Sequence, residues 1–99
     1  MKVAFIDRDG VINKDIGYLS KWKDFKYEPN IIDGLKRLIK KKFNLIMITN
    51  QGGVAKGLIK EEEVFKIHKY LLDDLARHKI SFLDIKICFH HPDGIVKKY

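Results

Sequence analysis

A parallel α/β fold is the architecture this chain's hydrophobic pattern predicts, and three observations predict it. Three short apolar runs have the length and β-branched character of strands: residues 2–6, 45–48 and 85–89. Two longer segments between them, near 30–42 and 60–78, carry apolar residues at helical spacing. Strand and helix therefore alternate, which is the pattern of a parallel sheet with helical crossovers. Consecutive strands should lie side by side.

Each element has its own justification. Lys2 to Ile6 is rich in Val and Ile and reads as a buried strand. Residues 10–28 mix Gly10, Gly17 and Trp22 with polar residues, so a loop or small hairpin covering the strand's end is expected. Pro29-Asn30 starts the first helix, with Asp33 in its first turn and Ile31, Ile32, Leu35, Leu38 and Ile39 at helical steps. Gly34 inside it costs about 1 kcal/mol against Ala, a cost that close packing on the sheet would justify. Leu45 to Ile48 is the second strand, and Thr49 to Gly57 a glycine-rich loop. In the second helix Val64, Ile67, Leu71 and Leu75 mark the buried face, and Glu61, Glu62 and Glu63 suit its N-terminus. Ile85 to Phe89 is the third strand.

Composition narrows the class. Ninety-nine residues suggest one domain, 1–99, and 45% hydrophobic with 33% charged residues is globular rather than disordered. No apolar run approaches the roughly 20 residues of a transmembrane helix. The N-terminus lacks the pattern of a signal peptide, so a cytoplasmic location is expected. A single cysteine, Cys88, excludes an intrachain disulfide. The net charge is +7, but the lysines are scattered. Their densest cluster, Lys40-Lys41-Lys42, falls where a helix should end and cations suit the dipole. No reader motif accompanies the charge, so no nucleic-acid partner is expected.

The chemistry concentrates in Phe5-Ile-Asp-Arg-Asp-Gly-Val-Ile-Asn13. Residues i and i+2 share a strand face, so Asp7 and Asp9 can converge where the first strand ends. Arg8 would point the other way, as a structural ion pair or a substrate contact. In parallel sheets ligands bind beyond the carboxyl ends of the strands. Asp7, Asp9, Thr49, Asn50 and Cys88 all fall at that rim. Paired carboxylates beside a tight turn suit Mg²⁺ binding and attack on phosphorus; Asp is also common in ordinary turns. A carboxylate nucleophile splits one hard displacement into two easier ones, and Asp7 is the candidate. Asp9 is the candidate general acid and base. Thr49 can donate to a phosphoryl oxygen, and Asn50 can extend that cradle; each also suits a turn cap. Gln51, Asn13 and Lys56 complete the candidate substrate contacts, Lys56 being equally suited to a solvated loop.

Asp7-Arg-Asp-Gly-Val-Ile-Asn13 resembles motif I of the haloacid dehalogenase-like (HAD) phosphatases. Thr49-Asn-Gln-Gly-Gly-Val-Ala-Lys-Gly57 resembles motif II of one branch, and Cys88-Phe-His-His-Pro-Asp93 the start of that branch's zinc loop. The branch holds heptose-bisphosphate and histidinol-phosphate phosphatases. Asn13-Lys-Asp-Ile-Gly-Tyr18 and the His-His-Pro-Asp segment favour the heptose side. The resemblance implies the N-terminal part of a three-layer Rossmann-like HAD fold and a phosphatase acting on a sugar-phosphate monoester through an aspartyl-phosphate. It implies Mg²⁺ held by the Asp7 carboxylate and the Asp9 backbone carbonyl. It also implies zinc at Cys88 and His90, with the other ligand pair in a Cys-x-Cys segment this sequence does not contain. A strand cysteine beside exposed histidines is the plain alternative.

Family motifs III and IV, and the strand that would flank the first strand's other side, lie beyond the resemblance. The expectation is therefore an incomplete HAD domain with weak Mg²⁺ binding and low turnover. An unpaired first-strand edge would be open to self-association. A histidinol-phosphate phosphatase and an inactive fragment are the alternatives.

Overall fold

The computed structural model describes residues 1–92 and 94. In chain order it contains β1 (Lys2–Asp7), a short 3-10 turn (Trp22–Asp24), α1 (Ile31–Lys40), β2 (Phe43–Asn50), α2 (Glu61–Arg77) and β3 (Asp84–Cys88). The three strands form one parallel sheet in the order β1-β2-β3. Ile6 lies opposite Met47, and Thr49 opposite Ile87.

The predicted elements are all present, with corrected ends. The second strand runs past 45–48 at both ends. Thr49 and Asn50, assigned to the loop, are its last residues and pair with Ile87 and Cys88. The reason is alternation: Leu45, Met47 and Thr49 are buried while Asn44, Ile48 and Asn50 are exposed, and polar residues belong on the open face of such a strand. The third strand begins one residue early, at Asp84, and ends at Cys88. The helices are slightly shorter than 30–42 and 60–78 because their flanking residues leave helical geometry. Asn30 (φ 67°) and Lys42 (φ 72°) are left-handed on either side of α1. At the start of α2 the Glu63 carboxylate accepts from the Lys60 backbone N–H at 2.9 Å, one half of a capping box.

Both helices cover the same face of the sheet. Leu35 from α1 and Leu71 and Leu75 from α2 join Leu45 and Met47 in one core, with Ala4, Ile6 and Ile85 packed against it. Successive crossovers moving the same way along a parallel sheet deliver their helices to one side. The described residues thus make two layers. The other face carries Phe5 and Ile48, 62% and 39% exposed. Among the described residues β1 pairs with β2 alone. A Cβ built on Gly34 would meet nothing within 4 Å, so close packing is not what places a glycine in α1.

The segment after β1 folds back over the strand ends. Gly10 adopts φ 86° and donates to the Asn13 carbonyl at 2.7 Å, closing a turn that larger residues resist. Lys14 N–H donates to Lys26 and Glu28 N–H to Ile12, so the expected small hairpin is present in outline. Trp22 stacks on Phe25 and sits 6.1 Å from the Tyr70 ring, while the Tyr27 hydroxyl donates to Asp74 at 2.5 Å. Burial and that acceptor push the Tyr27 pKa up. These contacts fasten the segment to α2. Among the described residues no helix is long and apolar enough to cross a membrane.

Candidate active site

The sheet brings its chemistry to one end. Asp7, Arg8, Asp9, Ile48, Thr49 and Asn50 line an open cleft of about 240 Å³ at the carboxyl ends of β1 and β2. Asp7 is exposed, and no described residue donates to its side chain. Asp9 is treated in the opposite way. Arg8 Nη2 donates to its two oxygens at 3.0 and 3.1 Å, Asn13 Nδ2 to Oδ1 at 2.9 Å, and Gln51 Nε2 to Oδ2 at 2.9 Å. The donors come from β1's end, the folded-back segment and the loop after β2. Three stretches of chain converge on one carboxyl group.

Strand alternation explains Arg8. Asp7 faces the open side, so the next side chain turns inward, and Arg8 is 1% exposed. Its Nη1 lies 3.0 Å from His68 Nε2 on the buried face of α2. Desolvation first and the Arg8 charge second push the His68 pKa down to about 4, with Asp9 opposing. At neutral pH the imidazole is therefore uncharged. Since the guanidinium can only donate, Nε2 accepts and the ring proton sits on Nδ1. That buried atom and Arg8 Nε have no partner among the described residues.

The predicted site residues separate into groups. Asp7, Asp9, Thr49 and Asn50 share the cleft. Thr49 is buried, and its oxygen accepts from Gln51 Nε2 at 2.7 Å, which leaves its own proton to donate elsewhere. Gln51 and Asn13 are buried, and both direct their amide hydrogens at site residues. Gln51 spends its two on Asp9 and Thr49. Asn13 spends its two on Asp9 and the Lys14 carbonyl. Lys56 lies outside the cleft lining, where its Nζ donates to the Tyr18 hydroxyl at 2.9 Å. His68 was not singled out from the sequence, though its spacing between Val64 and Leu71 places it on the apolar stripe of α2.

The donor set fits a hard cation in part. Asp7 offers a carboxylate to the cleft, and no described residue donates to the Asp9 carbonyl oxygen. Oxygen donors of this kind, completed by several waters, suit Mg²⁺. No group of three or more His, Cys, Asp or Glu able to hold a metal occurs among the described residues. Cys88 and His90 are both exposed near the end of β3, and Asp93 of the same motif lies outside the described residues.

Comparison with known proteins gives a consistent result. No family model matches the chain. The chain is 45% identical over 96 residues to a D-glycero-α-D-manno-heptose-1,7-bisphosphate 7-phosphatase of Photorhabdus laumondii, covering 97% of this chain and 52% of that protein. Its fold matches a D,D-heptose 1,7-bisphosphate phosphatase from B. bronchiseptica, solved with magnesium and phosphate. The TM-score is 0.85 at 30% identity, over 94% of this chain and 52% of that one. A putative HAD-like phosphatase from Mesorhizobium loti shares the fold at TM-score 0.86 and 23% identity, over 95% and 44% of the two chains. The chain spans about half the length of the curated relatives it matches. Over the stretch it spans, the chain is therefore similar in both sequence and fold to heptose-bisphosphate phosphatases.

Proposed function

We propose that this chain carries the nucleophile and the proton-transfer group of a phosphatase acting on a sugar-phosphate monoester, with a heptose 1,7-bisphosphate as the substrate. In the first step an Asp7 carboxylate oxygen attacks phosphorus, and the bond from phosphorus to the sugar oxygen breaks. The leaving alkoxide takes a proton from the Asp9 carboxyl group. In the second step water attacks the aspartyl-phosphate and gives its proton to Asp9, and inorganic phosphate and free Asp7 result. Thr49, its oxygen already engaged by Gln51, donates its hydroxyl proton to a phosphoryl oxygen, and Asn50 shares the cleft rim. Mg²⁺, held by the Asp7 carboxylate and the Asp9 carbonyl, would supply positive charge against the repulsion between phosphate and carboxylate.

The observation that carries this reading is the contrast inside the cleft: an exposed carboxylate with no described donor beside a carboxyl group held by three side chains. Asn13 and Gln51 then serve Asp9 more than the substrate. The names of the relatives supply the substrate class. Zinc at Cys88 and His90, with two ligands from elsewhere, a cytoplasmic location and self-association along the β1 edge, unpaired among the described residues, belong to the same proposal. The test is phosphate release from heptose 1,7-bisphosphate and from histidinol phosphate, with Mg²⁺, by this chain and by a version extended to its relatives' length. Faster release from the heptose ester, lost in Asp7→Asn, is expected. Release from neither ester by either protein would end the reading, and preference for histidinol phosphate would change the substrate.

A further inference from the structure

His68 sits where packing alone would place an aliphatic residue. Its neighbours on the buried stripe of α2 are Val64, Ile67, Leu71 and Leu75, and it is itself 4% exposed. What it meets there is the Arg8 guanidinium, 3.0 Å away, whose other terminal nitrogen grips both oxygens of Asp9. The residue types can be compared. An aliphatic side chain at position 68 would leave Arg8 Nη1 buried without its His68 acceptor, an unfavourable state for a charged donor. A carboxylate there would compete with Asp9 for the Arg8 charge. A neutral acceptor holds the guanidinium without drawing its charge away from Asp9, and an imidazole protonated on Nδ1 is such an acceptor.

We propose that His68 is a positioning residue for catalysis: its neutral Nε2 fixes the Arg8 guanidinium, and Arg8, with Asn13 and Gln51, fixes the Asp9 carboxyl group for proton transfer. The catalytic half of this inference rests on the phosphatase reading above. The positioning half rests on the geometry alone.

Two variants test it. His68→Leu removes the acceptor and keeps apolar bulk; His68→Gln keeps a neutral acceptor near the same reach. A dispersed amide spectrum reports that each variant is folded. In ¹⁵N-labelled protein the Arg8 Nη protons should give separate, slowly exchanging signals. These should merge in His68→Leu and persist in His68→Gln. Separate signals in a folded His68→Leu would overturn the positioning role. The second measurement compares kcat/KM for an alkyl phosphate and for p-nitrophenyl phosphate, using the version extended to its relatives' length. An alkoxide needs a proton to leave and a nitrophenolate does not. His68→Leu should therefore lose on the order of tenfold or more on the alkyl ester relative to the aryl ester, and His68→Gln should recover most of that loss. Equal losses on both esters would overturn the catalytic role. If the unsubstituted protein hydrolyses neither ester, the phosphatase reading fails, and the Arg8 signals still decide the positioning role.

Discussion

Asp7 and Asp9 stand two residues apart on one cleft and are held in opposite ways. Asp7 faces the open side of the sheet, exposed, with no described donor. Asp9 accepts from Arg8, Asn13 and Gln51, and Arg8 is braced in turn by His68. The same asymmetry runs through the sheet. One face is covered by α1 and α2, while the other leaves Phe5 62% exposed. The fold thus fixes one carboxyl group and leaves the other exposed, as the proposed division into a proton-transfer group and an attacking group requires.

The contrast breaks most visibly under substitution of the two carboxylates. Asp7→Asn should lower phosphatase activity by roughly 10³-fold or more. It should also leave stability within about 0.5 kcal/mol, as expected of an exposed side chain with no partner among the described residues. Steady-state kinetics and urea unfolding check the pair of results. Asp9→Ala should cost activity and also about 3 kcal/mol of stability, because it leaves the buried Arg8 charge uncompensated. Equal stability losses at the two positions would erase the distinction.

Acid provides a sharper probe of the braced half. The His68 pKa is lowered in the fold to about 4 from its ordinary 6.5, so the unfolded chain binds this proton more readily. The stability held in the neutral imidazole is present above pH 6.5. It falls as pH drops from there through about 4, and it is fully lost below that. The amount is on the order of 3 kcal/mol. Urea unfolding of the native chain and of His68→Gln across this range should show the extra acid sensitivity only in the native chain. Parallel pH profiles would contradict the buried neutral imidazole.

The smallest effect tests a residue away from the site. Gly34 lies in α1 with open space at its Cβ position, so Gly34→Ala should raise stability by about 0.5–1 kcal/mol and leave activity alone. Thermal unfolding would show it.

How much of this was legible in the sequence varies with the range of the signal. Periodicity is local, and it placed all three strands, both helices and the buried stripe Val64, Ile67, Leu71 and Leu75. The rim on which Asp7, Asp9, Thr49 and Asn50 meet followed from topology. Strand ends were less legible, because Thr49 and Asn50 read as loop beside the glycines yet continue the alternation of β2. The bracing of Asp9 was legible only in the reading of Arg8 as a structural ion pair. It depends on Arg8 reaching a residue 60 positions later and on Gln51 turning back to a carboxylate 42 positions earlier, and no pattern in the chain encodes such pairings. For the contact between Arg8 and His68, the hint available was a histidine on an apolar stripe.

In the proposed reaction Asp7 is the group that takes the phosphoryl. That role is tested most directly by mixing the protein, extended to its relatives' length, with Mg²⁺ and heptose 1,7-bisphosphate, quenching within one turnover, and mapping the modified residue by mass spectrometry. One phosphoryl group is expected, on Asp7, and none in Asp7→Asn. Phosphate release that continues undiminished in Asp7→Asn, or a label on any other residue, would contradict it.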